Sequence, residues 1–223
     1  MPRTWQLPEP VAAIGRALRD YLGGRRTSAL AVADRAELGR FLESRANYVA
    51  QFSLNGYLRT RAGVRFPELF DNDEFVASIK QATWHMWLAC VSDLAVYSGL
   101  LILQRTNTSP DVVRRLMQSV LDKLLASHGT PEDAGPDFGA HAERVRARLA
   151  QCDWSGLADD ESAFTESPEA LVRYAPVIDE LKALDAPIVR NSVRFRWQEI
   201  RRELRRALNA EALLAGDVQS ART

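Results

Sequence analysis

Apolar residues recur along this chain in steps of three and four. Leu38, Phe41, Leu42, Val49 and Phe52 fall on one face of a helix. The spacing predicts a helix over 34–62, opened by the capping pattern of Asp34 and Glu37 and closed at Gly63. The next run, TWHMWLACVSDLAVYSGLLIL from Thr83 to Leu103, is apolar on every side and lies within a predicted helix over 73–105. Ser109-Pro110 starts a helix over 110–127 that carries Val113, Leu116, Val120, Leu121 and Leu124 and stops at His128-Gly129. Further helices are expected over 137–152 and 168–185, the latter kinked or restarted at Pro176, and over 187–214, opened by Pro187. A shorter one, about 8–22, precedes them. Val189, Val193, Trp197, Ile200 and Leu204 form the apolar arc of the last helix. Sustained two-residue alternation is missing, so no sheet is predicted. The expected fold is all-α: a single-domain helical bundle over 1–216, with a buried apolar central helix, two long amphipathic helices and a disordered tail over 217–223. Residues 153–166 read as the least ordered internal segment.

The apolar run is long enough to cross a bilayer. It contains His85, Ser92, Asp93 and Ser98, however, and lacks basic flanks. A central aspartate costs about 2.5–3.5 kcal/mol on insertion. The run therefore reads as the buried middle of a bundle, with no transmembrane span. The N-terminal Met-Pro-Arg-Thr-Trp-Gln-Leu-Pro has no apolar signal region, which points to a cytoplasmic protein.

Composition narrows the function only by exclusion. At 46% hydrophobic, 26% charged and net charge zero, the chain is neither wholly disordered nor a generally basic nucleic-acid binder. Cys90 and Cys152 form no CxxC, so a disulfide framework or cysteine zinc site is not expected. The basic residues are almost all arginine, and alanine is abundant, as in a GC-rich bacterial genome.

Four constellations could carry chemistry. Arg45 lies on the apolar face of its helix, about 20° from the line through Leu38. Asp93 sits inside the apolar run. A buried charge needs a partner, so the two are expected either to approach each other or each to meet a buried polar group. They are then a structural pair, or the polar floor of a ligand pocket that includes His85. His85, His128 and His141 are the three histidines, and neither ExxH nor HExxH occurs. No metal or cofactor is expected, and His85 reads as a hydrogen-bonded core residue. The acidic turn Asp71-Asn72-Asp73-Glu74 lacks the glycine and distal glutamate of a calcium loop, and is expected to cap the next helix at Asp73.

The fourth constellation is residues 188–208, with seven arginines against two glutamates. Arg190, Arg194, Arg201 and Arg205 form a stripe beside the apolar arc that holds Trp197. Glu199 and Glu203 are spaced to pair with Arg202 and Arg206, leaving the stripe without partners in its own helix. An acidic segment of the same chain, over 131–169, can answer it. So can an external anion, an anionic membrane face, RNA or an acidic protein.

The runs FLESRANYVAQ, FDNDEFVASI, LACVSDL, SPEALVRYAPVIDELK and IVRNSVRFRWQEIRR together resemble a family of small all-helical alphaproteobacterial proteins, whose members sometimes carry the label esterase. The resemblance covers most of residues 40–205 and transfers no catalytic residue. The G-x-S-x-G elbow of an α/β-hydrolase does not occur in the chain.

The expected function is that of a non-enzymatic interaction or assembly protein, recognising another protein, or a second copy of itself, through the basic C-terminal helix. One alternative is a bundle binding or hydrolysing a small apolar or anionic ligand in a pocket near Arg45, His85 and Asp93. A binder of anionic membrane surfaces or nucleic acid is the other.

Overall fold

The structure is a computed structural model and describes residues 31–220. The expected helix over 8–22 lies outside them. Seven α-helices are present among the described residues: α1 (Arg35–Ala62), α2 (Asp73–Arg105), α3 (Pro110–His128), α4 (Phe138–Ala150), α5 (Glu166–Tyr174), α6 (Asp179–Ala207) and α7 (Ala210–Ser220). The fold is all-α, as the periodicity predicts. The β-pairing among the described residues is an isolated parallel bridge between Val32 and Leu208.

Local chemistry sets most helix ends. The Asp34 carboxylate accepts from the Glu37 amide at 2.7 Å, and Glu37 accepts in return from the Ala33 amide at 2.8 Å. Gly63 ends α1 at φ 55°, a conformation that L side chains resist. The cap of α2 is Asn72, one residue before the expected Asp73, and it accepts from the Phe75 amide at 2.9 Å. The preceding turn-rich segment winds into a 3-10 helix over Gly63–Asp71. Ser109 caps α3, with Pro110 in its first turn.

α2 is the axis of the bundle. α1, α3, α4, α5 and α7 all pack on it, and its side chains from Met86 to Ile102 are buried without interruption. It is long and apolar enough to cross a membrane, but 94% of its most apolar window is covered by the other helices. Burial on every side suits a helix enclosed by neighbours. Gly99 admits one of those neighbours: a Cβ there would lie 2.7 Å from the Trp154 indole, whose Nε1 donates to the Val96 carbonyl at 2.9 Å.

Residues 153–166 are more built than expected. Trp154 and Phe164 are 2% and 1% exposed, and these two aromatics pin the segment to the core. The C-terminal third also departs from expectation. Pro176 holds Ala175 in an extended conformation and ends α5 early, at Tyr174. α6 starts at Asp179, and Pro187 lies inside it on the solvent side, where water can take the carbonyl its ring leaves free. At the far end a tertiary contact breaks the helix. Leu208 turns extended as Val32 donates to the Ala207 carbonyl at 2.7 Å and Asn209 donates to the Val32 carbonyl at 3.0 Å. Arg105 closes the break by donating to the carbonyls of Arg205 and Leu208. α7 continues to Ser220, into the expected tail.

Candidate functional site

α6 has four sides, and the chain itself answers three of them. The first faces inward: Val189, Val193, Trp197, Ile200 and Leu204 are all buried, as their spacing predicts. Trp197 is 1% exposed, stacks on Phe164 at 4.7 Å between ring centroids and donates Nε1–H to Ser167 Oγ at 2.9 Å. Its place in a partner-binding stripe is therefore corrected. An indole in an amphipathic arc packs inward when the arc faces a core.

The arginine stripe is the second side. Arg190 makes a two-point bond to Glu169, at 2.6 and 2.8 Å. Arg201 donates to the Asp159 carbonyl at 2.6 Å, and Arg205 donates to Asp159 Oδ1 at 2.8 Å. Arg194 reaches Asn191 in its own helix at 3.5 Å. Three of the four arginines thus meet the acidic segment of the same chain. Burial pushes the Asp159 carboxyl up, but bonds from Tyr97 and Arg205 and the charge of Arg201 outweigh it and hold the group below its usual range. Asp159 in turn helps raise the Tyr97 hydroxyl to about 12, after burial. The bond from Arg190 lowers Glu169. These pairs are half open to water, so each contributes roughly 0–1 kcal/mol. They still occupy the guanidinium groups that an external anion would need.

The third side faces α1. Arg45 donates from Nε and Nη2 to the two carboxylate oxygens of Glu203, at 2.8 and 3.0 Å. Glu203 therefore serves Arg45 rather than Arg206. Arg196 lies over the Phe52 ring, its guanidinium carbon 3.9 Å from the centroid.

The fourth side faces solvent. Leu184, Ile188 and Phe195 are 75%, 75% and 70% exposed. At about 100° per residue they share an arc of roughly 40°, opposite the buried arc. Isolated exposed apolar residues are ordinary; here three share one side of one helix. Placing the helix start at Pro187 hides this row, because it separates Leu184 from Ile188 and Phe195. Carrying the 3.6-residue period back to Asp179 would have exposed it.

Arg45, His85 and Asp93 meet different partners. Asp93 is fully buried and receives five hydrogen bonds: Arg148 Nη1 (2.8 Å), the amides of Thr165 (3.2 Å), Glu166 (3.0 Å) and Ser167 (2.8 Å), and Ser167 Oγ (2.6 Å). α5 has no cap from its own Thr165 side chain; the carboxylate of α2 fills that role across the core. Asp93 thus meets the buried Ser167, and Arg45 meets the part-buried Glu203; neither charge meets the other.

His85 pairs with His141, the two Nδ1 atoms 2.9 Å apart, so one ring donates and the other accepts. Tyr174 stacks on His85 with centroids 4.2 Å apart. Burial lowers both imidazoles, that of His141 to about 4, aided by His85 and by the charges of Arg144 and Arg173. His85 borders a cleft of about 510 Å³ beside Arg173, Tyr174 and Lys182; Arg45 and Asp93 do not line it. His128 bonds Glu43 at 3.0 Å. No group of three or more metal-ligating side chains occurs among the described residues. Compared with protein-family models, with curated proteins and with solved structures, the chain matches none.

Proposed function

We propose that the protein is a non-enzymatic helical assembly protein that engages another protein through the outward face of α6. The observation that carries this reading is the row Leu184, Ile188 and Phe195, left in water beside three sides that the chain itself covers. Burying such a row on a partner removes roughly 25 cal/mol per Å² of apolar cost. The core around Asp93 supports the same reading, since the carboxylate already accepts five hydrogen bonds from within the fold. The arginine stripe frames the site rather than forming it.

Site-specific photocrosslinking tests the proposal. Benzoylphenylalanine in place of Leu184, in the full chain in its native cells, is expected to give a discrete protein adduct. The same probe at Val64, exposed on the 3-10 segment after α1, serves as the control. No adduct at Leu184 beyond that control would overturn the reading.

A further inference from the structure

We infer that the partner of the α6 face is a second copy of this chain, docked antiparallel about a two-fold axis near Asn191; the inference rests on the reading of that face as a docking surface. Positions 184, 188, 191, 195, 198 and 202 follow alternating steps of four and three, the seam of a two-helix pair. Leu184, Asn191, Phe195, Gln198 and Arg202 on that seam are exposed, as is Ile188. The charge along the outward face is not uniform. Its start carries the acidic Glu180; its end carries Arg202 and Arg206, with Glu199 at its edge.

That polarity selects the geometry. A parallel pair would set acid against acid and arginine against arginine. An antiparallel pair centred on Asn191 sets Leu184 against the second copy's Gln198 and brings Ile188 beside the second copy's Phe195, offset by one residue, about 1.5 Å. Glu180 then faces the second copy's Arg202. The span from Glu180 to Arg202 is about 33 Å, so the two ion pairs close both ends of one continuous contact. Asn191 meets itself at the axis, where a polar seam residue favours one register. Neither Glu180 nor Arg202 makes an ion pair among the described residues; Arg202 donates only to the Gln198 carbonyl of its own helix, at 3.3 Å, while Asp179 already holds Lys182 at 2.8 Å. A partner of unrelated sequence has no reason to mirror this arrangement. A two-fold pair mirrors it by construction, because each copy supplies both ends.

Sedimentation equilibrium of the full chain, across a concentration range reaching about 100 µM, reads the association directly. The expected species is a dimer. Ile188→Glu together with Phe195→Glu should give a monomer with unchanged helical circular dichroism and the unfolding midpoint of the parent diluted below its dimer dissociation constant, since both side chains lie in water in the monomer. Glu180→Arg and Arg202→Glu should each weaken dimerisation about tenfold, by placing like charges together twice. Combined in one chain they should restore it. A monomer at every concentration, or a combined variant no tighter than the single ones, would overturn the inference. A crosslink from position 184 to residues 1–30 of the same chain would overturn it too. The two proposals fail separately: a monomeric protein whose Leu184 probe still captures a protein of different mass sinks the self-pairing and leaves the docking face standing.

Discussion

Replacing Asp93 with asparagine changes one atom at a place where every neighbour is a donor. Oδ1 accepts from Arg148 and from the amides of Thr165 and Glu166; Oδ2 accepts from the Ser167 amide and hydroxyl. An amide NH₂ in either position points hydrogens at hydrogens. The Ser167 hydroxyl can rotate to accept, but the backbone N–H groups cannot. At least one buried amide then loses its acceptor, at about 1–3 kcal/mol. Arg148 loses its carboxylate, and the first turn of α5 loses a negative charge worth up to ~2 kcal/mol. The sum matches the roughly 3–5 kcal/mol observed when one member of a buried ion pair is removed. For a chain of this length that corresponds to a fall in Tm of roughly 6–20 °C. Urea unfolding followed at 222 nm measures it, and hydrogen exchange at the Ser167 amide localises it: slow in the parent, fast in Asp93→Asn. Arg148→Met, alone and combined with Asp93→Asn, completes a double-mutant cycle with a large coupling energy. A loss below about 1 kcal/mol with the Ser167 amide still protected would refute the capping role.

Two further outcomes follow from the core. Gly99→Ala improves intrinsic helix propensity by about 1 kcal/mol, yet should destabilise the protein by roughly 1–3 kcal/mol, because the new methyl overlaps the Trp154 indole; a stabilised variant with unchanged near-ultraviolet dichroism would mean that Trp154 is seated elsewhere. The second concerns pH. His141 titrates near its ordinary value of 6.5 when unfolded but at about 4 when folded, so the unfolded chain binds the proton first. Stability is then complete above pH 6.5 and declines as pH falls toward 4, by up to about 1.4 kcal/mol per pH unit for one proton. His141→Asn should flatten the dependence of Tm between pH 7 and 5, a range roughly above the carboxylate titrations; an unchanged slope would show that this imidazole is not held neutral by burial.

These tests separate two kinds of polar residue in the fold. Asp93, Arg148 and Ser167, with Trp197, tie α2, α4, α5 and α6 together through one buried network. Such a network fixes how the helices meet, since each member has one set of partners and no solvent to substitute for them. The charges of α6 fix something else. By occupying the stripe and the α1 side, they leave the outward row of Leu184, Ile188 and Phe195 exposed.

Periodicity carried the fold class, the extent of α1, α2 and α3, and the burial of α2, because these follow from local spacing, caps and a stretch with no polar side to turn toward water. It also placed Arg45 and Asp93 in the interior. What it could not supply was a partner for either. Arg45 finds Glu203, 158 residues away, and Asp93 finds Ser167, 74 residues away. The stripe could not be told from an external anion site, since Asp159 and Glu169 reach it only once residues 153–166 fold back and are anchored by Trp154 and Phe164. The C-terminal end of α6 was hidden for the same reason: Leu208 leaves the helix to bridge Val32, a contact between distant parts of the described chain. Spacing along one helix decides which residues share a side. Which sides are covered is decided by segments distant in sequence, and here that left Leu184, Ile188 and Phe195 facing outward.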